Sequence, residues 1–257
     1  MSGESGGAGA NAGAGQAFPM TPWSLVARAG TGATSDAMRD ALGILLQRYL
    51  PALRAHLVLH RRIEPHQADD LLQSFVSRKV LEQRLIARSD RTRGRFRSFL
   101  LKALDHYVID QLRQQKARGG ARAPAQLDEM QELELADDDA DAQPSQAFDR
   151  AWAKEVVAEA VRRTRAECER SGRADLWGVF EHRVLAPSLH GAEPVPYEKL
   201  VSDYKLDSPQ QASNVLMTAK RMFARALRGV IAESAEDDAE IEGDLKDLKQ
   251  ILAQGVG

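Results

Sequence analysis

The segment 94–118 restricts the fold of this chain more than any other part of the sequence. Apolar side chains recur along it at the spacing of one helix face, and they are Phe96, Phe99, Leu100, Ala103, Leu104, Tyr107, Val108 and Leu112. Cations fill much of the remaining surface, at Arg95, Arg97, Lys102, Arg113, Lys116 and Arg118. A basic helix with aromatic residues suits a single nucleic-acid strand, because bases stack on rings while cations neutralise phosphates. The alternative is a solvated polar face over an ordinary core.

Helical periodicity extends over most of the 257 residues, of which 43% are hydrophobic and 5% aromatic. A chain of this length and composition can bury one or two small cores. The first half is expected to contain an amphipathic helix over 36–62, bent or interrupted at Pro51, and a second helix that begins near Glu64 and Pro65. We therefore predict an all-α protein with two small helical domains.

Charge is strongly segregated along the chain, although the net charge is only -2. Residues 36–122 carry 18 Lys and Arg against 9 Asp and Glu, whereas residues 127–142 carry 8 acidic groups and no basic one. Residues 150–232 carry 14 basic and 10 acidic groups, and residues 233–257 carry 2 and 8. Two basic blocks separated by an acidic connector indicate modules that face nucleic acid, joined by a solvated, self-repelling linker.

These shifts divide the chain into five segments. Residues 1–20 are expected to be disordered, 21–118 to form the first helical domain, and 119–147 to be a flexible acidic linker. Residues 148–232 are expected to form the second helical domain. The acidic tail 233–257 carries apolar residues at helical spacing near its end, so we expect a short helix that docks on the protein's own body or on a partner. A frayed solubilising tail is the alternative.

The second domain contains a helix-turn-helix pattern. Its supporting helix is predicted over Pro196–Tyr204, and Ser208 followed by Gln211 is a capping box with Pro209 at the first helical position. The next helix is expected to run towards Ala232. Glutamine and asparagine near its start could pair with adenine in a major groove. A helical scaffold that merely packs is the alternative.

Motifs for catalysis or metal binding are not found in the sequence, so we expect no enzymatic activity and no cofactor. His56 and His60 are four residues apart and could share a metal, but we interpret them as ordinary polar surface because no second ligand pair accompanies them. The acidic run 137–141 is interpreted as solvated linker. A single cysteine, Cys168, excludes an intrachain disulfide, and together with the lack of a secretory or membrane-spanning apolar run it indicates a cytoplasmic protein.

The motif F-R-x-F-L at 96–100, followed by D-x-L-R at 110–113, resembles region 2 of the bacterial sigma-70 family, especially its small extracytoplasmic-function members. Other segments are similar to further parts of the family: 21–26, 49–53, 69–75 and, for the region 4 helix-turn-helix, 196–232. The resemblance covers most of residues 21–232. Within the family, the chain is similar to a sigma-like subgroup that has a C-terminal extension. It implies a transcription initiation factor that binds core RNA polymerase and directs promoter recognition and melting.

The resemblance also implies roles for individual residues. The region 2-like residues expected at DNA are Arg93, Arg95, Phe96, Arg97, Lys102, His106, Asp110 and Arg113. The region 4-like ones are Gln210, Gln211, Ser213, Asn214, Lys220, Arg221 and Arg225, with Arg228 as a further phosphate-facing cation. The residues expected to bind the polymerase beta-prime subunit are Asp69, Asp70, Gln73 and Ser74.

Several positions depart from the family pattern. Asp105 stands where relatives have Arg or Lys, and a carboxylate on that face would repel phosphate. His66, Gln67 and Ser74 replace acidic residues of the polymerase-binding helix, and Ser213, Met217 and Thr218 replace common Lys, His or Arg residues of the recognition helix. Lys205 occupies the position of a turn glycine. Ser74 is a candidate phosphosite, because phosphorylation would restore negative charge there.

The expected partners are promoter DNA and the beta-prime and beta subunits of core RNA polymerase. An anti-sigma factor or a Ser/Thr kinase is a candidate regulator. The alternative function is a sigma-like adaptor that acts by protein–protein contact in a signalling or kinase-linked complex without promoter recognition.

Overall fold

The computed structural model describes residues 35–78, 96–117, 145–235 and 237–254, and within these ranges the regular structure is helical. The expectations for the N-terminal segment 1–20, for most of the linker and for the motif at 21–26 lie outside the described residues. The helices are α1 Ser35–Ala55, α2 Pro65–Phe75, α3 Phe96–Ala117, α4 Gln146–Arg170, α5 Ala174–Phe180, α6 Ala186–His190, α7 Tyr197–Tyr204, α8 Pro209–Ala232 and α9 Asp238–Gln254. The predicted all-α class is confirmed. Among the described helices, none combines the length and the apolar character that crossing a bilayer requires.

Local sequence signals place the start of α2 where it is observed. The carboxylate of Glu64 accepts hydrogen bonds from the backbone N–H groups of His66 and Gln67, and Pro65 is the first residue of α2. The first helix is not interrupted at Pro51: α1 continues through this residue and then widens into a π-helical turn over His56–His60.

A first core is shared by α1, α2, α3, the N-terminal half of α4, the end of α8, and α9. Its fully buried large side chains include Tyr49, Leu53, Phe75, Leu100, Tyr107, Phe148 and Trp152. Ile231 and Leu248 are buried in the same cluster. This core therefore takes residues from both sides of the domain boundaries expected at 148 and 233.

A second, smaller core lies at the other ends of α4 and α8, where α5 and α7 pack on them. It contains Cys168, Leu176, Val179, Phe180, Leu200, Val215, Leu216 and Ala219. Phe223 contacts both clusters. Because α4 and α8 run through both cores, the two halves of the molecule share their longest helices.

Glu233, just after α8, forms ion pairs with arginines of two other helices. Its carboxylate oxygens lie 2.6 Å from Arg48 Nη2 of α1 and 2.6 Å from Arg163 Nη1 of α4. Burial raises the pKa of Glu233, but the hydrogen bonds from Arg163 and Arg48 lower it by a larger amount. The pKa therefore lies below its usual value. The carboxylate is thus held ionised between two guanidinium groups.

The helix-turn-helix consists of α7, a short turn and α8. The hydroxyl of Ser208 accepts the N–H of Gln211, as the capping box predicts, and the Gln211 side chain in turn accepts the N–H of Asp207. Gly178 of α5 lets the ring of Tyr204 approach closely, because a Cβ at position 178 would overlap that ring. Because glycine has no side chain, the end of α7 can pack directly on α5.

The turn after α7 begins with Lys205 in a left-handed conformation, with φ of 52°. Left-handed backbone is strained for residues with a Cβ and is unstrained for glycine. We expect Lys205→Gly to raise the free energy of unfolding by about 0.5–1 kcal/mol. The matched control is Lys199→Gly at an exposed position inside α7, which should lower it by about 1 kcal/mol. Urea denaturation measures both, and destabilisation by Lys205→Gly would contradict the argument from strain.

Candidate nucleic-acid interface

One face of α8 presents amides near its start and cations further along. Gln210, Asn214, Met217, Arg221 and Arg225 are exposed and follow one another at intervals of three or four residues. Side chains at this spacing line one side of a helix. The opposite side is buried in the two cores, so α8 is held with this face outward.

Each region 4-like residue expected at DNA has a described position. Gln210, Asn214, Lys220, Arg221 and Arg225 are exposed, whereas Gln211 and Ser213 are half-buried. The Gln210 amide donates to the Asn214 side chain at 3.4 Å, which aligns the two amides along the helix. Sequence reasoning assigned Gln211 to DNA contact. In the structure its side chain instead binds the backbone of the turn before α8.

The cations of α8 fall into two groups. Lys220, Arg221 and Arg225 make no ion pair with any residue that the structure describes, so their charge faces solvent. Arg228, one turn further, binds the carboxylates of Asp238, at 2.9 Å, and of Glu242. Both carboxylates belong to the start of α9, which therefore neutralises the last cation on this face.

The start of α3 differs from the expected DNA surface. Phe96 is 6% exposed and Arg97 is 4% exposed, so neither side chain can meet a nucleic-acid strand in this conformation. The Arg97 guanidinium pairs with Asp247 of α9, lies 3.8 Å from Asp244 Oδ1, and stacks 4.5 Å above the ring of Trp152. We correct the expectation that Phe96 and Arg97 are surface residues. Arg93 and Arg95 lie outside the described residues.

The rest of α3 retains an outward polar face. His106, Asp110 and Arg113 are exposed and Lys102 is half-buried, and their spacing places all four on one side of the helix. The structure therefore separates the predicted region 2-like set into an outward group and a buried pair.

Asp105 points inward, which corrects the expectation that its carboxylate would repel phosphate. It is 9% exposed, and its oxygens lie 2.9 Å from His56 Nε2 and 2.8 Å from Arg61 Nη2. Leu101 and Val108 precede and follow it on the same buried stripe of α3. The carboxylate is thus neutralised within the protein and contributes no charge to the outer face.

His56 is also buried, which corrects its interpretation as polar surface. Its Nδ1 lies 2.9 Å from the hydroxyl of Ser145, and its ring stacks on His60 with centroids 4.9 Å apart. Within the described residues, no cluster of three or more potential metal ligands is found.

The order Asp105–His56–Ser145 matches the order of groups in a hydrolytic triad. Two contacts instead favour a structural role. Arg61 already neutralises the Asp105 carboxylate, and the Ser145 hydroxyl caps α4 by accepting the N–H of Phe148 at 3.3 Å. The network joins the π-helical turn after α1 to the middle of α3 and the start of α4.

Burial raises the pKa of Asp105, but hydrogen bonds from His56 and Arg61 more than offset this, so the pKa lies below its usual value. A carboxyl group with a depressed folded-state pKa contributes stability above its unfolded pKa, which is lost as pH falls through the folded pKa. We expect Asp105→Asn to lower the free energy of unfolding by about 3 kcal/mol near neutral pH, because Arg61 loses its buried counter-ion.

The deficit of Asp105→Asn should begin to shrink as the pH falls below the unfolded-state pKa of about 4, and it should vanish once the pH has passed through the lower folded-state pKa. Asp110→Asn on the exposed face of the same helix is the control and should be close to neutral. Urea denaturation across the acid range measures both variants. An equal deficit at acid and neutral pH would contradict the ionised pair.

The residues expected to bind polymerase lie on the outer side of α2. Asp69, Asp70 and Gln73 are exposed, and Ser74 is half-buried. Asp69 binds the guanidinium of Arg54 at 2.6 and 3.1 Å, and this hydrogen-bonded pair lowers the pKa of Asp69. An intramolecular cation therefore already occupies one of the two carboxylates that sequence reasoning assigned to a partner.

Comparisons with models of known protein families, with curated proteins and with solved structures found no match.

Proposed function

We propose that this chain is a transcription initiation factor of the sigma type, which binds core RNA polymerase and directs promoter recognition and melting. The exposed face of α8 is the observation that carries the proposal. Amides at its start suit base edges, and Lys220, Arg221 and Arg225 are free of internal ion pairs among the described residues. The helix follows a capped turn and a short supporting helix, which is the arrangement of a helix-turn-helix.

The outward group on α3 supports the second part of the proposal. Lys102, His106 and Arg113 could follow a separated strand, with cations for phosphate and an imidazole for a base edge. Internal neutralisation of Asp105 removes the charge conflict that its sequence position suggests.

The alternative is a sigma-like adaptor that works by protein contact alone. Two observations favour it: Phe96 and Arg97 are buried, and Asp69 is engaged by Arg54. Co-purification with core polymerase, followed by promoter-directed transcription, discriminates the two functions. Polymerase binding without transcription from any promoter would favour the adaptor.

The α8 face is tested by the double charge reversal Arg221→Glu with Arg225→Glu. Losing two phosphate contacts should flatten the log–log salt dependence of duplex binding by about two units. Promoter-directed transcription should fall to background while the helical content stays unchanged.

The matched control is Arg150→Glu with Lys154→Glu. This pair has the same spacing and charge change on an exposed part of α4, and it should retain transcription and the wild-type salt slope. If the α8 variant behaves like this control, the face is ordinary solvated surface.

Polymerase binding is tested by Arg54→Gln, which removes the internal partner of Asp69. Freeing one carboxylate for a basic partner should strengthen core binding by about two- to tenfold, equivalent to roughly 0.5–1.5 kcal/mol. Arg78→Gln, an exposed arginine just after α2, is the control with the same charge change. Fluorescence-detected titration with core polymerase at fixed salt gives both affinities, and unchanged affinity of Arg54→Gln would remove Asp69 from the contact surface.

A further inference from the structure

The acidic helix α9 places its carboxylates on groups that a DNA phosphate would also bind. Asp247 and Asp244 face the Arg97 guanidinium, and Asp238 and Glu242 bind Arg228. Both arginines belong to the sets that the resemblance assigns to phosphate contact. They come from different parts of the chain, so one helix neutralises a cation of each expected DNA-binding element.

Glu240 is a fifth acidic residue of α9 that binds a group to which a phosphate could also bind. Glu240 Oε1 lies 3.3 Å from the backbone nitrogen of Phe96, the first residue of α3. Backbone N–H groups at helix starts bind phosphate as readily as they bind carboxylate. The carboxylate of Glu240 therefore occupies a position that an oxyanion of a nucleic-acid backbone could take.

The closed arrangement leaves Arg97 incompletely satisfied. Its Nε and Nη1 atoms are buried and have no hydrogen-bond partner among the described residues. A buried cation that lacks hydrogen bonds is costly, whereas phosphate or water could satisfy all of its donors. This contact is consequently one that a polyanion can displace, even though Asp247 and the Trp152 ring hold the guanidinium in place.

Apolar contacts give α9 its affinity for the rest of the protein. Leu248 is fully buried and Ile241 nearly so, both in the first core, while Leu252 on the same helix is exposed. The face that docks is a single stripe along the helix, since Leu245 and Ile251 also pack on the first core. Such a helix can separate from the body without unfolding the second core, to which it contributes no buried residue.

We propose that α9 is an intramolecular inhibitor that mimics the nucleic-acid backbone. When docked, it pairs with Arg97 and Arg228 and accepts the N–H of Phe96; when released, it frees two cations and the start of α3 for a separated DNA strand. The α8 face from Gln210 to Arg225 stays open in both states, so duplex binding through α8 does not require release. The inference rests on the proposed function, because it names the regulation of the same nucleic-acid surface.

The test compares binding of fluorescein-labelled oligo-dT and of a duplex of equal length. The variant carries Asp238→Asn, Glu240→Gln, Glu242→Gln and Asp247→Asn, which keep side-chain shape and remove charge from the docked face. Releasing α9 from Arg97 and Arg228 should steepen the log–log salt slope for oligo-dT by about 1.4 units and strengthen binding by roughly tenfold or more at moderate salt. The duplex should gain less, since α8 is already exposed.

The control for net charge carries Glu193→Gln, Glu198→Gln, Asp203→Asn and Asp207→Asn, four exposed acidic residues outside α9 that make no ion pair within the described residues. If the control gains as much affinity for oligo-dT as the α9 variant, or if neither gains, the inference is overturned. The proposed function is judged separately, by whether Arg221→Glu with Arg225→Glu weakens duplex binding of the wild-type protein.

Hydrogen exchange on the unmodified protein gives a second test that does not depend on variants. Saturating oligo-dT should accelerate exchange of the α9 amides while those of α5 and α7 stay protected. Binding of oligo-dT with unchanged protection of α9 would overturn the inference.

Discussion

Two helices that pass through both cores determine how this protein is built. The N-terminal half of α4 buries Phe148 and Trp152 in the first core, and its C-terminal half buries Cys168 in the second. The chain returns along the same route in α8, which leaves the second core and ends just before Glu233, whose carboxylate lies between two arginines. Neither core is complete without these helices, so the elements expected to face DNA are carried on one shared framework.

This framework has a consequence for how the two expected DNA contacts are related. The exposed face of α8 begins beside the second core, and α3 packs on the first core with the face opposite its outward one. A rigid connection between them would fix the distance between two bound DNA elements. The acidic helix α9 lies between these two elements, because it contacts both the end of α8 and the start of α3.

Sequence reasoning succeeded where the deciding interactions are local. The starts of α2 and α8 follow from Pro65, Ser208 and Gln211, whose partners are within three residues, and the outward face of α8 follows from its periodicity. Reasoning failed for Arg97, because its partner Asp247 is 150 residues away and a pattern within one helix cannot reveal it.

Asp105 shows a different kind of failure, because the signal was present. It lies on the stripe of Leu101, Val108 and Leu112, and all four side chains are buried. A single charge within an apolar stripe indicates a buried ion pair, and His56 and Arg61 were available as partners. The family pattern instead assigned Asp105 to the outer face, where its charge would matter to DNA.

The position of α9 after all the other described helices affects how the protein is made. A ribosome synthesises Tyr49, Phe96 and Trp152 well before Ile241 and Leu248 that join them in the first core. Until then, Arg97 at the start of α3 lacks the carboxylates of Asp244 and Asp247. The first core is therefore completed only after synthesis has passed residue 248, long after its earliest members have left the ribosome.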